Sequence, residues 1–110
     1  MDPVQEQLAA FNDRDVERFV AAYAADVVIE EGAGQPLLQG HEGVRGFYGP
    51  LFAQSPALHA EVVTRIAVGA YVIDEERTTG FHATGFPSEV HSAVIYCLSE
   101  GKIAWVRILM

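Results

Sequence analysis

One cysteine, few basic residues and no long apolar run limit what this 110-residue chain can be. Cys97 has no partner within the chain, so no internal disulfide forms, and a reducing cytoplasm is the expected setting. In "SAVIYCL" that cysteine reads as a small core hydrophobe, a setting that raises a thiol pKa rather than activating it. Seven Lys and Arg stand against fifteen Asp and Glu, a formal charge of −8. Such a chain is repelled by phosphate backbones and anionic lipid, so neither nucleic acid nor a membrane surface is an expected partner. No stretch approaches the roughly 20 apolar residues that a spanning helix needs, and "MDPVQEQ" lacks the basic and apolar regions of a signal peptide. The four histidines show no HxH, HxxxH or HExxH spacing, so no metal is expected. No glycine-rich loop follows a strand to cradle phosphate, no GxSxG elbow presents a serine, and no cofactor is expected. His82 and His91 flank "GFPS" symmetrically, a spacing that would let them face each other across a hairpin.

What is present is a globular composition, half hydrophobic and one fifth charged, of a size that suits one domain over residues 1–110. The first half reads helical. Asp2 is a cap, Pro3 the first helical residue, and Gln5 completes a capping box; Val4, Leu8 and Phe11 then recur at helical spacing. "NDRD" breaks the pattern and offers Asp15 as a second cap, after which Val16, Phe19, Val20 and Tyr23 form an apolar stripe. "DVVIEE" reads as a strand, with "PLLQG" as a short strand behind the glycine-containing loop. In "HEGVRGFYGPLF" the positions Val44, Phe47, Tyr48, Leu51 and Phe52 predict a third helix. Pro50 predicts its end or a kink near Tyr48–Gly49, since an interior proline removes a hydrogen bond and crowds the preceding turn.

The second half reads as strands over 58–68, 70–81, 89–98 and 102–109, rich in β-branched and aromatic residues. Their short turns imply antiparallel neighbours, and helices followed by strands make an α+β pattern. One face of the late strands must cover the helices. The opposite face carries Ala93, Ile95, Cys97, Ile103 and Trp105, an apolar surface that a monomer rarely exposes, and Trp105 shares that face with Arg107.

Two stretches carry candidate chemistry. In "ADVVIEEGAG", Glu30 and Glu31 are strand neighbours and point to opposite faces, so one is solvated and the other turns inward. In "DEER" at 74–77, four successive charges must fall on both faces. Either Asp74 and Glu76 or Glu75 and Arg77 then face the helices, unless the strand there runs beyond the core toward a pocket mouth. Arg77 is the candidate to hold an anionic ligand or to fix Glu31.

Read as a whole, "VQEQLAAFNDRDVERFVAAYAADVVIEE", "GHEGVRGFYGPLF" and "GKIAWVRIL" resemble, in order and spacing, the nuclear transport factor 2-like superfamily. The likeness is to its ketosteroid isomerase and SnoaL-like (polyketide cyclase-like) branch. The resemblance implies a cystatin-like cone, in which a curved antiparallel sheet wraps around three N-terminal helices and leaves a pocket at one end. It also implies a homodimer packed through the sheet face. It places the general base on Glu31, puts Gln7 where the isomerases hold their oxyanion tyrosine, and puts Val94 near their protonated aspartic acid. Supporting tyrosines fall on Tyr23 and Tyr48, and Phe52, Arg77 and Tyr96 complete the expected substrate-binding wall. With both oxyanion donors replaced, efficient ketosteroid isomerisation is not expected, because losing one such donor costs about a hundred- to a thousandfold. The activity so implied is isomerisation, cyclisation or dehydration of a small apolar organic molecule by Glu31. The alternative is a non-catalytic ligand-binding or dimerisation module of the same fold.

Overall fold

The computed structural model describes residues 2–82, 85 and 87–110. Helix α1 (Pro3–Asp13) starts at its expected cap: the Asp2 carboxylate accepts the backbone N–H groups of Val4 and Gln5 at 3.0 and 3.3 Å. The expected capping box does not form, because the Gln5 side-chain oxygen accepts from Arg65 at 3.1 Å. It stops where Arg14 turns left-handed (φ 53°), and the Arg14 guanidinium then donates to the carbonyls of Asn12 and Leu58. Asp15 caps α2 (Val16–Ala21) by accepting the Arg18 N–H at 3.2 Å. Tyr23 does not extend that helix. It opens β1 (Tyr23–Glu31), because its neighbour Ala22 accepts a hydrogen bond from Ile103 and Tyr23 itself pairs with Ile103.

A short β2 (Gln35–Gln39) leads into α3 (Gly40–Gln54), which runs through Pro50 instead of ending before it. Pro50 and Gly46, four residues earlier, are both exposed, so the carbonyl that proline leaves without a donor faces water. Beyond the proline, Leu51 and Phe52 are buried in the core and hold the last turn in place. Four longer strands follow: β3 (His59–Val68), β4 (Tyr71–Thr79), β5 (Glu89–Ser99) and β6 (Lys102–Leu109).

Among the described residues, six strands form one sheet in the order β2-β1-β6-β5-β4-β3. Consecutive strands of the second half pair antiparallel, as their short turns require, while β1 and β6 pair in parallel. Irregular register at Ile29/Glu30, Val62/Thr64 and Cys97/Leu98 bends the sheet around the helices. The Cys97/Leu98 step also corrects the expected outer face. Ile103 pairs with Leu98 and Trp105 with Cys97, so Ala104 is the extra residue and Ile103 turns inward, fully buried in the core. The outer face keeps Ala93, Ile95, Cys97 and Trp105 and extends to Ile66, Val68 and Tyr71, which are 52%, 62% and 47% exposed. His82 and His91 do not face each other: His91 stands opposite Arg77 and bonds Glu75, and the His82 N–H donates to the Ser55 hydroxyl. The turn expected at 85–88 falls partly outside the described residues.

The core lies between the helices and the concave face of the sheet, with Val4, Phe19, Val27, Val44, Leu58 and Ile103 among its most buried side chains. An aromatic cluster of Phe11, Phe19, Tyr48 and Phe52 lies within it, ring centroids 4.6–6.4 Å apart. At the far edge Asn12 acts as a strand partner for β3, donating to the Ala60 carbonyl and accepting its N–H at 3.0 and 2.7 Å.

Gly80 fixes how β4 leaves the sheet. Its φ is +83°, and a Cβ there would stand 2.1 Å from the Ala57 carbonyl oxygen, which is backbone and cannot move aside. Gly80→Ala should therefore cost at least about 2 kcal/mol, lowering Tm by about 10 °C. Gly69→Ala, at a similar φ but with no atom within 4 Å of the added Cβ, should cost about 1 kcal/mol. Equal melting temperatures for the two variants would contradict the steric account.

Candidate functional site

Between α1, α3 and the concave sheet lies a cavity of about 220 Å³. Helix α1 turns Gln7 and Phe11 into it because both lie on the face that carries Val4 and Ala10 toward the sheet. Tyr23 enters from the start of β1 and Tyr48 from α3. Strand β5 supplies Ser92, Val94 and Tyr96 at alternate positions, and β4 supplies Glu76 and Thr78 in the same way.

The "DEER" run thus resolves in favour of Asp74 and Glu76. Their fates differ although they are two residues apart on one face. Asp74 is fully buried and paired with Arg65 across β3–β4, its two oxygens accepting from Nε and Nη2 at 2.7 and 2.9 Å. Glu76 is 8% exposed and faces the cavity, where it accepts a 2.9 Å hydrogen bond from the Tyr96 hydroxyl. Tyr96 in turn accepts from Gln7 Nε2 at 3.1 Å, and Gln7 Oε1 accepts from the Tyr23 hydroxyl at 3.4 Å. Every donor in this chain points toward Glu76.

Burial raises the Glu76 carboxyl to about 7; the Tyr96 hydrogen bond opposes the rise, the Asp74 charge adds to it, and Arg65 opposes it. Burial, together with the negative charge of Glu76, likewise lifts the phenols of Tyr23, Tyr48 and Tyr96, which stay protonated throughout the ordinary range. The cavity therefore holds one acid poised to gain or lose a proton at neutral pH, among hydroxyls that keep theirs.

The expected site residues divide accordingly. Gln7, Tyr23, Tyr48, Val94 and Tyr96 all line the cavity. Glu31 reaches its mouth, beside the exposed Leu37 and Met110, but is itself exposed. The burial expected of a base falls on Glu76 instead. Phe52 does not line the cavity; it packs behind the wall against Phe11 and Phe19. Arg77 does not line it either: as the neighbour of an inward Glu76 it points to the outer face, half exposed, with its guanidinium 3.8 Å from Glu89. Nor is Glu30 the solvated partner, since its side chain is 19% exposed and accepts from Arg107 at 3.0 Å, with that guanidinium 5.3 Å above the Trp105 ring. The sequence left open whether Glu76 faces inward, because a strand of successive charges has no apolar alternation to mark its inner face. The run of charges marked Glu76 only as one member of two alternative inward pairs, and the register of β4 against β5 selects between them. Among the described residues no group of three or more His, Cys, Asp or Glu is placed to hold a metal ion.

The raised Glu76 carboxyl has a consequence for stability with a definite sign. Its folded value of about 7 exceeds its ordinary 4.5, so the folded chain holds this proton more tightly than the unfolded one. Stability contributed by the neutral form is complete below pH 4.5, is lost as pH rises toward 7, and changes no further above it. At about 1.4 kcal/mol per pH unit the loss is at most about 3.5 kcal/mol. Urea denaturation should show Glu76→Gln gaining on the wild type by about 2 kcal/mol between pH 5 and pH 7.5. A difference independent of pH would mean that Glu76 is not buried as described.

The SnoaL-like domain family matches residues 4–106 of the chain. No curated protein sequence matches it. Among solved structures, an uncharacterised cystatin-fold protein from Novosphingobium aromaticivorans is 27% identical, with a TM-score of 0.88 over 98% of this chain and 95% of that one. A hypothetical protein with a ketosteroid isomerase-like fold from Catenulispora acidiphila, in complex with trimethylamine, is 19% identical, with a TM-score of 0.76 over 97% and 83%. A nuclear transport factor 2-like protein of unknown function from Cytophaga hutchinsonii is 15% identical, with a TM-score of 0.77 over 97% and 85%. The two more distant likenesses show the fold alone. The curved sheet wrapped around the helices is the architecture that the sequence resemblance implied, and the chain belongs to the SnoaL-like domain family.

Proposed function

We propose that this chain is a small-molecule pocket protein of isomerase or cyclase type, in which a carboxylate exchanges a proton with an apolar substrate. The observation that carries the reading is Glu76: buried against the cavity, hydrogen-bonded to Tyr96 and poised near neutral pH. A general base works best with its pKa near the operating pH. Glu31, at the mouth, is the second carboxylate of the site and serves the substrate's outer end. Gln7 and Val94 stand where the resemblance would require strong oxyanion donors. Turnover of a 5-ene-3-ketosteroid should accordingly be absent or far below that of efficient isomerases.

Proton exchange at the α-carbons of 2-tetralone in D₂O, followed by NMR, tests the base directly. The wild type should accelerate exchange over buffer, and Glu76→Gln should lose about a hundredfold or more of that acceleration. Glu31→Gln should lose less than Glu76→Gln. Loss confined to Glu31→Gln would return the base to Glu31. Binding without any exchange would favour the non-catalytic ligand-binding module.

The partner of the outer sheet face, in this reading, is a second copy of the chain. Ile66, Val68 and Tyr71 are exposed beside Ala93, Ile95, Cys97 and Trp105, a contiguous apolar surface that a two-fold contact would cover. The unpaired Cys97 suits a reducing cytoplasm, and among the described residues no helix is long and apolar enough to cross a membrane. Light scattering should report a dimer at micromolar concentration, and Ile95→Asp should convert it to a monomer that retains its helices and strands. A monomeric wild type would overturn the interface.

A further inference from the structure

The charges that face the cavity all have one sign. Glu76 lies inside it and Glu31 at its mouth, and no Lys, Arg or His lines it among the described residues. The cations nearest to this region are already committed. Arg65 is bonded to Asp74 and Gln5, and Arg107 lies on the outer face with Glu30. An anionic ligand would meet two carboxylates and no counter-charge. The hydrogen-bond chain from Tyr23 through Gln7 and Tyr96 ends on Glu76 with its donors directed inward, so it stabilises negative charge on the carboxylate rather than on a ligand. The walls are rings, among them Phe11, Phe19, Tyr48 and Tyr96, whose faces attract a cation. The overall charge of −8 draws cations toward the chain as well.

We propose that the cavity selects apolar molecules that carry one basic nitrogen, bound as the ammonium ion with Glu76 as its counter-ion and the aromatic rings as its walls. The inference rests on the reading that the cavity binds a small molecule, and it names that molecule's class. Size narrows it further. A dry cavity of about 150 Å³ accommodates benzene, so the present one of about 220 Å³ takes one ring and a short chain. An ammonium beside Glu76 also keeps that carboxyl ionised at neutral pH, which is the state a base requires.

The charged and titratable groups around Glu76 are Asp74 on its own strand, Arg65 on β3, Tyr96 on β5, Tyr23 on β1 and Tyr48 on α3. Of these Asp74 and Arg65 are paired with each other and the tyrosines remain neutral. The pH dependence of amine binding near neutrality therefore belongs to Glu76.

Three probes on one phenylethyl frame separate the outcomes by calorimetry or NMR titration: 2-phenylethylamine, its neutral isostere n-propylbenzene, and the anion 3-phenylpropionate. At pH 8 the amine should bind at least tenfold tighter than n-propylbenzene, and 3-phenylpropionate should not bind detectably. Lowering the pH from 8 to 6 should weaken the amine about tenfold, as Glu76 takes up its proton, and leave n-propylbenzene unchanged. Glu76→Gln should remove both the pH dependence and the preference for the amine. In case that variant fails to fold, the Glu76 carboxyl carbon of the wild type can be followed by NMR. Its titration should move to lower pH when the amine saturates the protein. Equal binding of amine and isostere, tighter binding of the anion, or an unmoved Glu76 titration would each overturn the proposal. If n-propylbenzene binds and the amine does not, the selectivity is wrong and the pocket reading stands; if none of the three binds, the pocket reading itself fails.

Discussion

A carboxylate held inside an aromatic cavity, with a hydrogen bond but no cation attached, is the constraint around which this structure is arranged. Glu76 would be costly in such a place if it had to stay charged and unpartnered. Two arrangements contain the cost. Its proton is retained to about pH 7, and Tyr96, Gln7 and Tyr23 form a chain of donors that ends on it. Each member of that chain comes from a different element: β4, β5, α1 and β1. The polar line therefore ties the first helix to the sheet across the interior and fixes the position of Gln7, which sits on an otherwise apolar helix face.

The contrast with Asp74 shows how local geometry separates two similar residues. Both point inward from β4, but the register of β3 places Arg65 directly opposite Asp74 and Val62 opposite Glu76. The aspartate thus receives a bidentate cation and becomes a structural pair, whereas the glutamate receives only the phenol that reaches across from β5. A buried ion pair of this kind contributes little net stability yet is costly to break from one side. The unpaired glutamate is left available for chemistry.

Backbone features support this arrangement from outside. The register shift at Val62/Thr64 sets which β3 residues meet β4, and the one at Cys97/Leu98 brings Ile103 into the core while leaving Trp105 outside. Gly80, pressed against the Ala57 carbonyl, ends β4 just after the cavity-facing Thr78. On the far side of β1, Arg107 pins Glu30 to the outer surface. That contact directs the next residue, Glu31, toward the mouth of the cavity and leaves it open to water.

The sequence by itself determined the elements and the fold. The caps at Asp2 and Asp15, the helical spacing of Val4 and Phe11, the β-rich second half and its short turns are local signals, each written within a few residues. The resemblance joined them into the cone and located Gln7, Tyr23, Tyr48, Val94 and Tyr96 on its cavity. The tertiary structure decided which carboxylate is buried. In a run of four charges alternation offers no inside and outside, and in the pair Glu30–Glu31 it says only that the two differ. Those choices depend on register between strands, whether neighbouring or far apart in the chain: Asp74 with Arg65, Glu30 with Arg107, Glu76 with the hydroxyl of Tyr96. Long-range pairing also overruled two local rules. It kept α3 helical through Pro50, where packing of Leu51 and Phe52 outweighs one lost hydrogen bond, and it turned Ile103 inward against its strand's alternation. Local chemistry names the elements because neighbouring residues interact in any fold, whereas burial is assigned only when the chain has closed on itself.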